Sequence, residues 1–369
     1  GGASANCDNN NEYLSDVFGV WPGNCPHLKE WSPDACDNTI PNGDRITNNL
    51  MGGNHSNNYS SPKQAGKMHR SLALTSVRKY VDQDVYNGDV PLVIEQNEVW
   101  DFDIKLYRDL IINPGVELTI SCKLLMPWEG RITIKPSGKL IVDGGIVTTD
   151  ANTFWTGIIV EGNAEAHQHT ISGSCAQGQL ILKNGAIVEN AVFGALAGGL
   201  LEQGGFDDTK AGGIIQVIGN NSLLDPSASF VNNDRAVTFR PYQNFNLFTG
   251  APMPNRSNFT NAKFEVNQDC FSATWNDEMV RLDEVDGVVF SGCSFVNNLN
   301  NTGKGIDANG SGFRVKAVCT SQVHPCPEQS LDKSTFDNFA MAIEADNPEI
   351  YTFTVEDAIF NNNSYGIKM

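Results

Sequence analysis

The sequence has few basic residues and no long apolar run. It carries 25 Lys and Arg against 43 Asp and Glu, a formal net charge of −18 at pH 7. Binding to nucleic acid is driven by Lys and Arg, so the composition disfavours a nucleic-acid or anionic-membrane partner. No stretch approaches the roughly 20 apolar residues that a membrane span requires. Calcium or a cationic partner fits the charge better, although an acidic, solvated surface that keeps the protein soluble is the plainer explanation.

Cysteine is present without the spacing of a metal or redox motif. None of the nine cysteines belongs to a C-x-x-C pair, so the sequence predicts neither a zinc ribbon nor a thioredoxin-like site. Cys319 and Cys326 bracket a Pro-containing loop and are a candidate disulfide, and Cys25 is a candidate partner for Cys36 or Cys7. Disulfides favour an oxidising setting, so we expect the protein to be extracellular or at the cell surface.

A 22-residue repeat is the strongest pattern in the chain. The segment 112–120 (INPGVELTI) returns as 134–142 (IKPSGKLIV), with both prolines and both leucines 22 positions apart. A repeat this short cannot bury its own apolar side, so successive copies must stack, each strand pairing with its equivalent in the next turn. We therefore predict a solenoid, a right-handed parallel β-helix from about Asp89 to Met369.

Degraded copies of the repeat continue downstream as a phenylalanine followed by an Asn-containing corner. The phenylalanines are Phe230, Phe295, Phe336 and Phe360. We expect these rings to point inward, and the Asn residues to take the left-handed conformation at a tight bend or to bond to one another in a ladder. The spacing is 24 residues between the last two rings and 41 between the middle two, so loops are inserted at some corners. Such loops often carry function.

The first 81 residues lack the repeat and form a separate, irregular unit. Ser61 and Pro62, with a glutamine three residues after the serine, predict one helix over about 62–80. The segment 48–52 (NNLMG) and the start of this helix, 61–70 (SPKQAGKMHR), resemble the C-terminal part of pappalysin-like metzincin metallopeptidases. In that family a turn methionine lies beneath the zinc site, and the resemblance gives this role to Met51.

The catalytic motif of that family is missing. H-E-x-x-H-x-x-G-x-x-H supplies histidines that hold zinc and a glutamate that activates water. None of the six histidines has this context. We therefore expect no peptidase activity from this chain alone, and zinc only if a catalytic half lies upstream.

The densest group of carboxylates is Asp283, Glu284 and Asp286, which are the candidate catalytic residues. The predicted solenoid resembles the β-helices of exported bacterial proteins, some of which are polysaccharide lyases or hydrolases that need several carboxylates on one face. Alternation along a strand would place Glu284 and Asp286 together, with Asp283 opposite, as a calcium-binding set. Alternatively, all three lie on a solvated edge. The inward residues of that coil would be Leu282, Val285 and Val288.

Aromatic residues and histidines supply candidate binding sites. Trp155, Tyr242 and Trp275 are the leading candidates for stacking on sugar rings, and Trp128, Phe245 and Phe248 are further ones. Aromatics in solenoids more often fill the core or cover a loop. His167 and His169 lie two residues apart in one loop and offer two metal ligands without an evident third. Other charged candidates on the solenoid are Asp207, Asp208, Asp234, Arg235, Arg240, Lys304 and Asp307.

These patterns predict a mainly β protein with two parts, 1–81 and 89–369. The last coil stops in mid-repeat, so we expect further sequence, a domain or another chain to cover its strand edge. The leading hypothesis is a non-catalytic extracellular module of a secreted bacterial protein, a stalk for adhesion or for binding a glycan or protein, similar to β-helices attached to metzincin-type peptidases in Bacteroidota. The alternatives are a polysaccharide lyase or glycoside hydrolase, and part of a secreted zinc peptidase.

Overall fold

The computed structural model describes only part of the chain. The described residues are 90–171, 174–219, 226–272, 275, 277–321, 323–346 and 351–369. The chain divides into two units, Gly1–Asp82 and Gln83–Met369, and every described residue belongs to the second. The expected helix over 62–80, the methionine Met51 and the cysteines Cys25 and Cys36 therefore lie outside the described residues.

The regular secondary structure of the described residues consists almost entirely of short strands of two to seven residues. In chain order they are β1 (Leu92–Ile94), β2 (Glu98–Trp100), β3 (Ile104–Lys105), β4 (Leu110–Ile112), β5 (Glu117–Ile120), β6 (Lys123–Met126), β7 (Arg131–Ile134), β8 (Lys139–Asp143), β9 (Ile146–Thr149), β10 (Trp155–Val160), β11 (Thr170–Ile171), β12 (Ser174–Cys175), β13 (Gln179–Lys183), β14 (Ala186–Glu189), β15 (Ala191–Ala197), β16 (Gly199–Leu200), β17 (Phe206–Asp207), β18 (Ile214–Ile218), β19 (Ala228–Val231), β20 (Arg235–Phe239), β21 (Asn258–Thr260), β22 (Ala262–Val266), β23 (Glu278–Asp283), β24 (Asp286–Ser291), β25 (Ser294–Asn297), β26 (Lys304–Asn309), β27 (Gly312–Lys316), β28 (Val318–Cys319), β29 (Leu331–Asp332), β30 (Ser334–Asp337), β31 (Met341–Asp346), β32 (Thr354–Val355), β33 (Ala358–Asn361) and β34 (Tyr365–Lys368). Two 3₁₀ turns, Asp208–Lys210 and Glu328–Ser330, lie in loops. No helix in this part of the chain is long and apolar enough to cross a membrane.

Three parallel sheets form a right-handed β-helix, as the sequence predicts. Sheet A contains β1, β4, β7, β10, β15, β20, β23, β26, β31 and β34; sheet B contains β2, β5, β8, β13, β18, β21, β24, β27 and β32; sheet C contains β3, β6, β9, β14, β19, β22, β25, β30 and β33. The chain passes from A to B to C in each coil, and each strand pairs with its equivalent in the next coil. The other six described strands form three antiparallel hairpins, β11–β12, β16–β17 and β28–β29.

The strand register follows the 22-residue repeat. Ile112 lies opposite Ile134, and Leu118 lies opposite Leu140. All four side chains are fully buried. Each coil thus covers the apolar interior of its neighbour, which confirms that stacking of equivalent strands builds the core.

A column of phenylalanine rings fills the C-terminal coils. Phe230, Phe264, Phe295, Phe336 and Phe360 lie opposite one another on sheet C. Successive rings stack, with centroids 5.3, 4.6, 4.5 and 5.3 Å apart. The inward orientation of the four predicted rings is confirmed, and Phe264 is a fifth member.

Asparagines at the corners adopt the left-handed conformation that the sequence predicts. The φ angles of Asn232 and Asn362 are 53° and 54°. One pair of asparagines bonds across coils, with Asn232 Nδ2 donating to Asn267 Oδ1 over 2.9 Å. Elsewhere an Asn side chain bonds to the backbone, as where Phe339 N donates to Asn363 Oδ1 over 2.8 Å. The expected ladder is therefore only partly formed.

One candidate disulfide is present in the loop between sheets B and C. Cys319 and Cys326 are joined there, beside the hairpin β28–β29. The free cysteines in the described part of the chain are all buried: Cys122, Cys175, Cys270 and Cys293. Burial raises the pKa of the Cys122 thiol to about 11.

The longest insertions between sheets A and B lie at one corner of the solenoid. In the coil of β23 and β24 this corner takes only two residues, 284–285. Three other coils insert 161–178 (described except 172 and 173), 198–213 and 240–257 at the same corner. We call these three segments the corner loops. Because equivalent corners stack, the loops lie on one side of the solenoid and can contact one another.

Candidate functional site

The corner loops are fixed to one another by polar side chains. Tyr242 Oη donates to Ala166 O over 2.6 Å. Gln168 is fully buried; its backbone N donates to Asn244 Oδ1 over 2.9 Å, and its Oε1 accepts from Arg256 N over 2.8 Å. These bonds join the loop 161–178 to the loop 240–257, so the surface between them is preorganised.

The loops 161–178 and 240–257, together with Glu284 and Tyr351, line an open cleft of about 450 Å³ at the corner between sheets A and B. It is lined by Ala164, Glu165, Pro241, Tyr242, Gln243, Phe245, Glu284 and Tyr351. We call it the corner cleft. Its described lining contains two carboxylates and three aromatic rings but no Lys, Arg or His.

The corner cleft is acidic. Within the described residues, neither Glu165 nor Glu284 forms an ion pair, and both side chains are exposed. Burial raises the pKa of the nearby Asp286. Burial and the negative charges of Asp286 and Glu284 raise the pKa of the Tyr351 hydroxyl. A neutral or positively charged group is therefore favoured in this cleft, and an anion is disfavoured.

The outer face of sheet A changes character along the solenoid. One outward column carries Val93, Ile111, Thr133, Ile159, Leu196 and Thr238, and continues with Arg281, Asp307, Glu344 and Lys368. The change from apolar or hydroxyl side chains to charged ones falls between β20 and β23.

Eight charged side chains form a continuous chain of ion pairs that starts in the corner loops, with Asp208 and Arg240, and continues along this face. In spatial order they are Asp208, Arg240, Asp283, Arg281, Asp307, Lys304, Glu344 and Lys368. We call this set the ion-pair ladder. Opposite charges alternate along it, so neighbouring coils attract one another and the face is close to neutral.

Bond distances within the ladder are short and several members are buried. Asp283 accepts from Arg240 and from Arg281, each over 2.8 Å. Lys304 Nζ lies 3.0 Å from Asp307 Oδ2, which also contacts Arg281. Hydrogen bonds from Lys304 and Lys368 lower the pKa of Glu344.

A second carboxylate pair lies on the same face beside Arg235. The Arg235 Nε is 3.2 Å from Asp277 Oδ1 and 3.0 Å from Glu278 Oε1. Burial raises the pKa of Glu278 to about 8, and Asp277 acts in the same direction through a hydrogen bond and its charge. A raised pKa is the property required of a general acid.

The three candidate catalytic carboxylates are separated by the corner. Asp283 ends β23 and belongs to the ion-pair ladder, Glu284 lines the corner cleft, and Asp286 begins β24. Strand alternation does not apply to them, because Glu284 has a φ of 44° and turns the chain. The three residues predicted to point inward are fully buried: Leu282, Val285 and Val288.

Of the three candidate binding aromatics, only Tyr242 lines the cleft. Its side chain is 5% exposed. Trp155 and Trp275 are 0% and 1% exposed, and each indole Nε1 donates to a backbone carbonyl, that of Glu189 or Asp234, over 2.9 Å. Both tryptophans fill the core here, the alternative that the sequence left open. Phe245 and Tyr351 supply the other cleft rings. Phe245 was a sequence candidate for stacking on a sugar, and Tyr351 was not.

The carboxylates that lie close enough together to hold a metal differ from the candidate metal ligands of the sequence. His169 N donates to His167 Nδ1 over 3.0 Å, so one imidazole nitrogen is engaged within the loop. Carboxylate oxygens of Asp307, Glu344 and Asp346 instead lie within 4.8 Å of one another. Of these three, only Asp307 was a sequence candidate.

The chain thus presents two distinct polar arrangements. In the ion-pair ladder each carboxylate contacts a Lys or Arg, whereas the corner cleft holds carboxylates without an ion pair among the described residues, beside aromatic rings. Comparison with protein-family models, curated proteins and solved structures finds no match to this chain. The function must therefore be inferred from the chemistry and geometry of the ion-pair ladder and the corner cleft.

Proposed function

We propose that this chain is a non-catalytic, extracellular or cell-surface β-helix module, a stalk that binds a neutral or amino-bearing glycan through the corner cleft. The observation that carries the proposal is the combination of unpaired Glu165 and Glu284 with three aromatic rings in one preorganised cleft. Ligand sites are typically concave, with a few placed polar groups among apolar ones.

The solenoid supports the role of a stalk. Ten paired strands of sheet A extend over roughly 43 Å at about 4.8 Å per strand. The Cys319–Cys326 disulfide fits an oxidising environment. Secretion, a bacterial source and a relation to Bacteroidota β-helices carrying a metzincin-like segment are parts of this proposal, and Met51 lies outside the described residues.

The charge of the corner cleft narrows the ligand class. Carboxylates accept hydrogen bonds from sugar hydroxyls and attract an ammonium group, while the apolar face of Tyr351 or Phe245 can stack on a pyranose ring. An anionic polysaccharide would meet like charge. A basic protein segment is the competing ligand, and it is one outcome of the test.

A glycan array followed by calorimetric titration tests the proposal. We expect Tyr351→Ala to weaken binding about tenfold, equivalent to ~1.4 kcal/mol. Phe248→Ala is the matched control, because Phe248 lies on the same loop, is 91% exposed and is outside the cleft lining. Binding of only anionic glycans or only basic peptides, or equal affinity of Tyr351→Ala and wild type, would contradict the proposal.

A polysaccharide-acting enzyme is the second candidate, favoured by the raised pKa of Glu278 beside Asp277 and, at a separate place, by the two carboxylates of the corner cleft. General acid–base cleavage of a glycosidic bond needs one protonated and one ionised carboxyl group. A depolymerisation screen with and without calcium separates the two functions. If the protein releases product and Asp286→Ala or Glu278→Gln abolishes that release, the chain is an enzyme and the stalk proposal is wrong.

Membership of a longer zinc peptidase is the third candidate. Its supporting segment, with Met51, lies outside the described residues, and zinc would require upstream histidines. Intact-mass measurement of the native protein tests this candidate, because a mass well above that of 369 residues would reveal additional sequence.

A further inference from the structure

A group of three carboxylates on sheet A is not used by the proposed function. Asp307 lies on β26, and Glu344 and Asp346 lie on β31. One carboxylate oxygen from each is within 4.8 Å of the other two. All three point outward, because the residues beside them in the strands pack into the core: Ile306, Ala308, Ile343 and Ala345.

Asp307 presents a buried oxygen without a partner. Its side chain is 3% exposed, and its Oδ2 contacts both Arg281 and Lys304. Its Oδ1 is buried and has no hydrogen-bond partner among the described residues. Burying a carboxylate oxygen without a partner is unfavourable, and an ionised carboxylate can only accept, so a cation or donor is the ligand that satisfies it.

The neighbouring ammonium groups do not saturate the group. Glu344 accepts from Lys304 and, over 2.6 Å, from Lys368. Asp346 is exposed and forms no ion pair with another described residue. Arg281, Lys304 and Lys368 thus contact Asp307 or Glu344, but none of them pairs with Asp346. Lys368 is 52% exposed, so its ammonium can move into solvent.

We propose that Asp307, Glu344 and Asp346 form a calcium site, in which the ion displaces Lys368 from Glu344. Carboxylate oxygens are the ligands that hard divalent cations prefer, and calcium accepts an irregular oxygen set completed by water more readily than magnesium does. Lys368 holds Glu344 in the absence of the ion. None of its three carboxylates lines the corner cleft, and the proposal does not depend on glycan binding.

Calorimetric titration of the full chain with CaCl₂ tests the site. We expect one calcium per chain, with a dissociation constant of ~10⁻⁴ to 10⁻³ M, the range of extracellular modules. Asp346→Asn removes one ligand charge and should weaken binding about tenfold or more. Lys368→Gln removes the competing ammonium and should tighten binding several-fold, roughly 3 to 10 times, a gain that a merely structural defect would not produce.

Two controls make the result decisive. Asp269→Asn removes an exposed carboxylate elsewhere and should leave calcium affinity unchanged. Titration with MgCl₂ should show binding at least about tenfold weaker. The proposal fails if no heat is seen up to ~10 mM calcium, an upper limit ten times above the expected range. It also fails if Asp346→Asn binds as wild type does, or if Lys368→Gln binds more weakly.

Discussion

The ion-pair ladder and the corner cleft belong to one solenoid, but carboxylates are paired with cations in the ladder and unpaired in the cleft. Every ladder carboxylate contacts a Lys or Arg, whereas Glu165 and Glu284 in the cleft have no such contact among the described residues. Strands in a sheet hold outward side chains about 5 Å apart, so charges there must alternate to avoid repulsion. Loops hold them beside water, where a charge can remain unpaired. Unpaired charge in a preorganised cleft is thus the better guide to ligand binding.

The largest expected effect comes from breaking the ladder at its centre. Arg281→Met removes the partner shared by Asp283 and Asp307, and should lower the free energy of unfolding by about 2 to 3 kcal/mol. The loss falls below that of a fully isolated buried charge because Arg240 and Lys304 remain. Equilibrium urea unfolding measures it. Glu284→Gln in the cleft is the comparison, and an equal loss there would remove the contrast between the two regions.

The next effect is a pH dependence that originates on sheet A. Burial and Asp277 raise the pKa of Glu278 from 4.5 to about 8, so the folded protein keeps a proton that the unfolded chain releases. The stabilisation is complete below pH 4.5 and is lost as the pH rises towards 8, by at most about 1.4 kcal/mol per pH unit.

Glu278→Gln should remove this slope. Thermal unfolding of wild type and variant between pH 4 and 9 provides the measurement. The two proteins should be similar at pH 4, which is the internal control, and the variant should be the more stable one at pH 8. A wild-type stability that rises from pH 5 to pH 8 with an unchanged slope in the variant would show that Glu278 is ionised in the fold.

The smallest expected effect concerns an exposed ion pair on sheet B. Lys139 Nζ lies 3.0 Å from Glu117, and their side chains are 35% and 40% exposed. Lys139→Gln should change the free energy of unfolding by less than ~1 kcal/mol, because water screens such pairs. A loss in urea unfolding as large as that of Arg281→Met would mean that burial does not distinguish the ladder from other surface pairs.

The coil-to-coil register could be predicted because equivalent residues recur at a constant spacing in the sequence. The pairing of Ile112 with Ile134 follows directly from a constant spacing, and phenylalanines before asparagine mark the inward side of sheet C. The pattern does not mark Phe264, because two residues, Glu265 and Val266, separate it from Asn267, although its ring keeps the inward position.

Part of the ion-pair ladder could have been predicted from the same repeats. Each inward residue Val280, Ile306, Ile343 and Ile367 is followed by a charged one: Arg281, Asp307, Glu344 and Lys368. The residue that follows each inward position therefore identifies the charged column of sheet A. Its ion pairs could not be assigned, because they depend on which coils are adjacent after loops of unknown length.

The corner cleft could not be predicted from strand patterns. It combines residues from the loops 161–178 and 240–257 with Glu284 and Tyr351, which are far apart in sequence. Alternation also failed at Asp283, Glu284 and Asp286, because a single residue in the left-handed conformation ended one strand and began the next sheet. The arrangement of residues at the corners, unlike that of residues in the strands, therefore could not be predicted from the sequence.

The parallel stacking of coils has a mechanical consequence. Hydrogen bonds between equivalent strands run along the axis of the solenoid, so tension applied from end to end would stretch them directly. Every junction between neighbouring coils would bear the same load in series, and extension would begin where the fewest strands and side chains hold two turns together. A tether built this way yields one turn at a time.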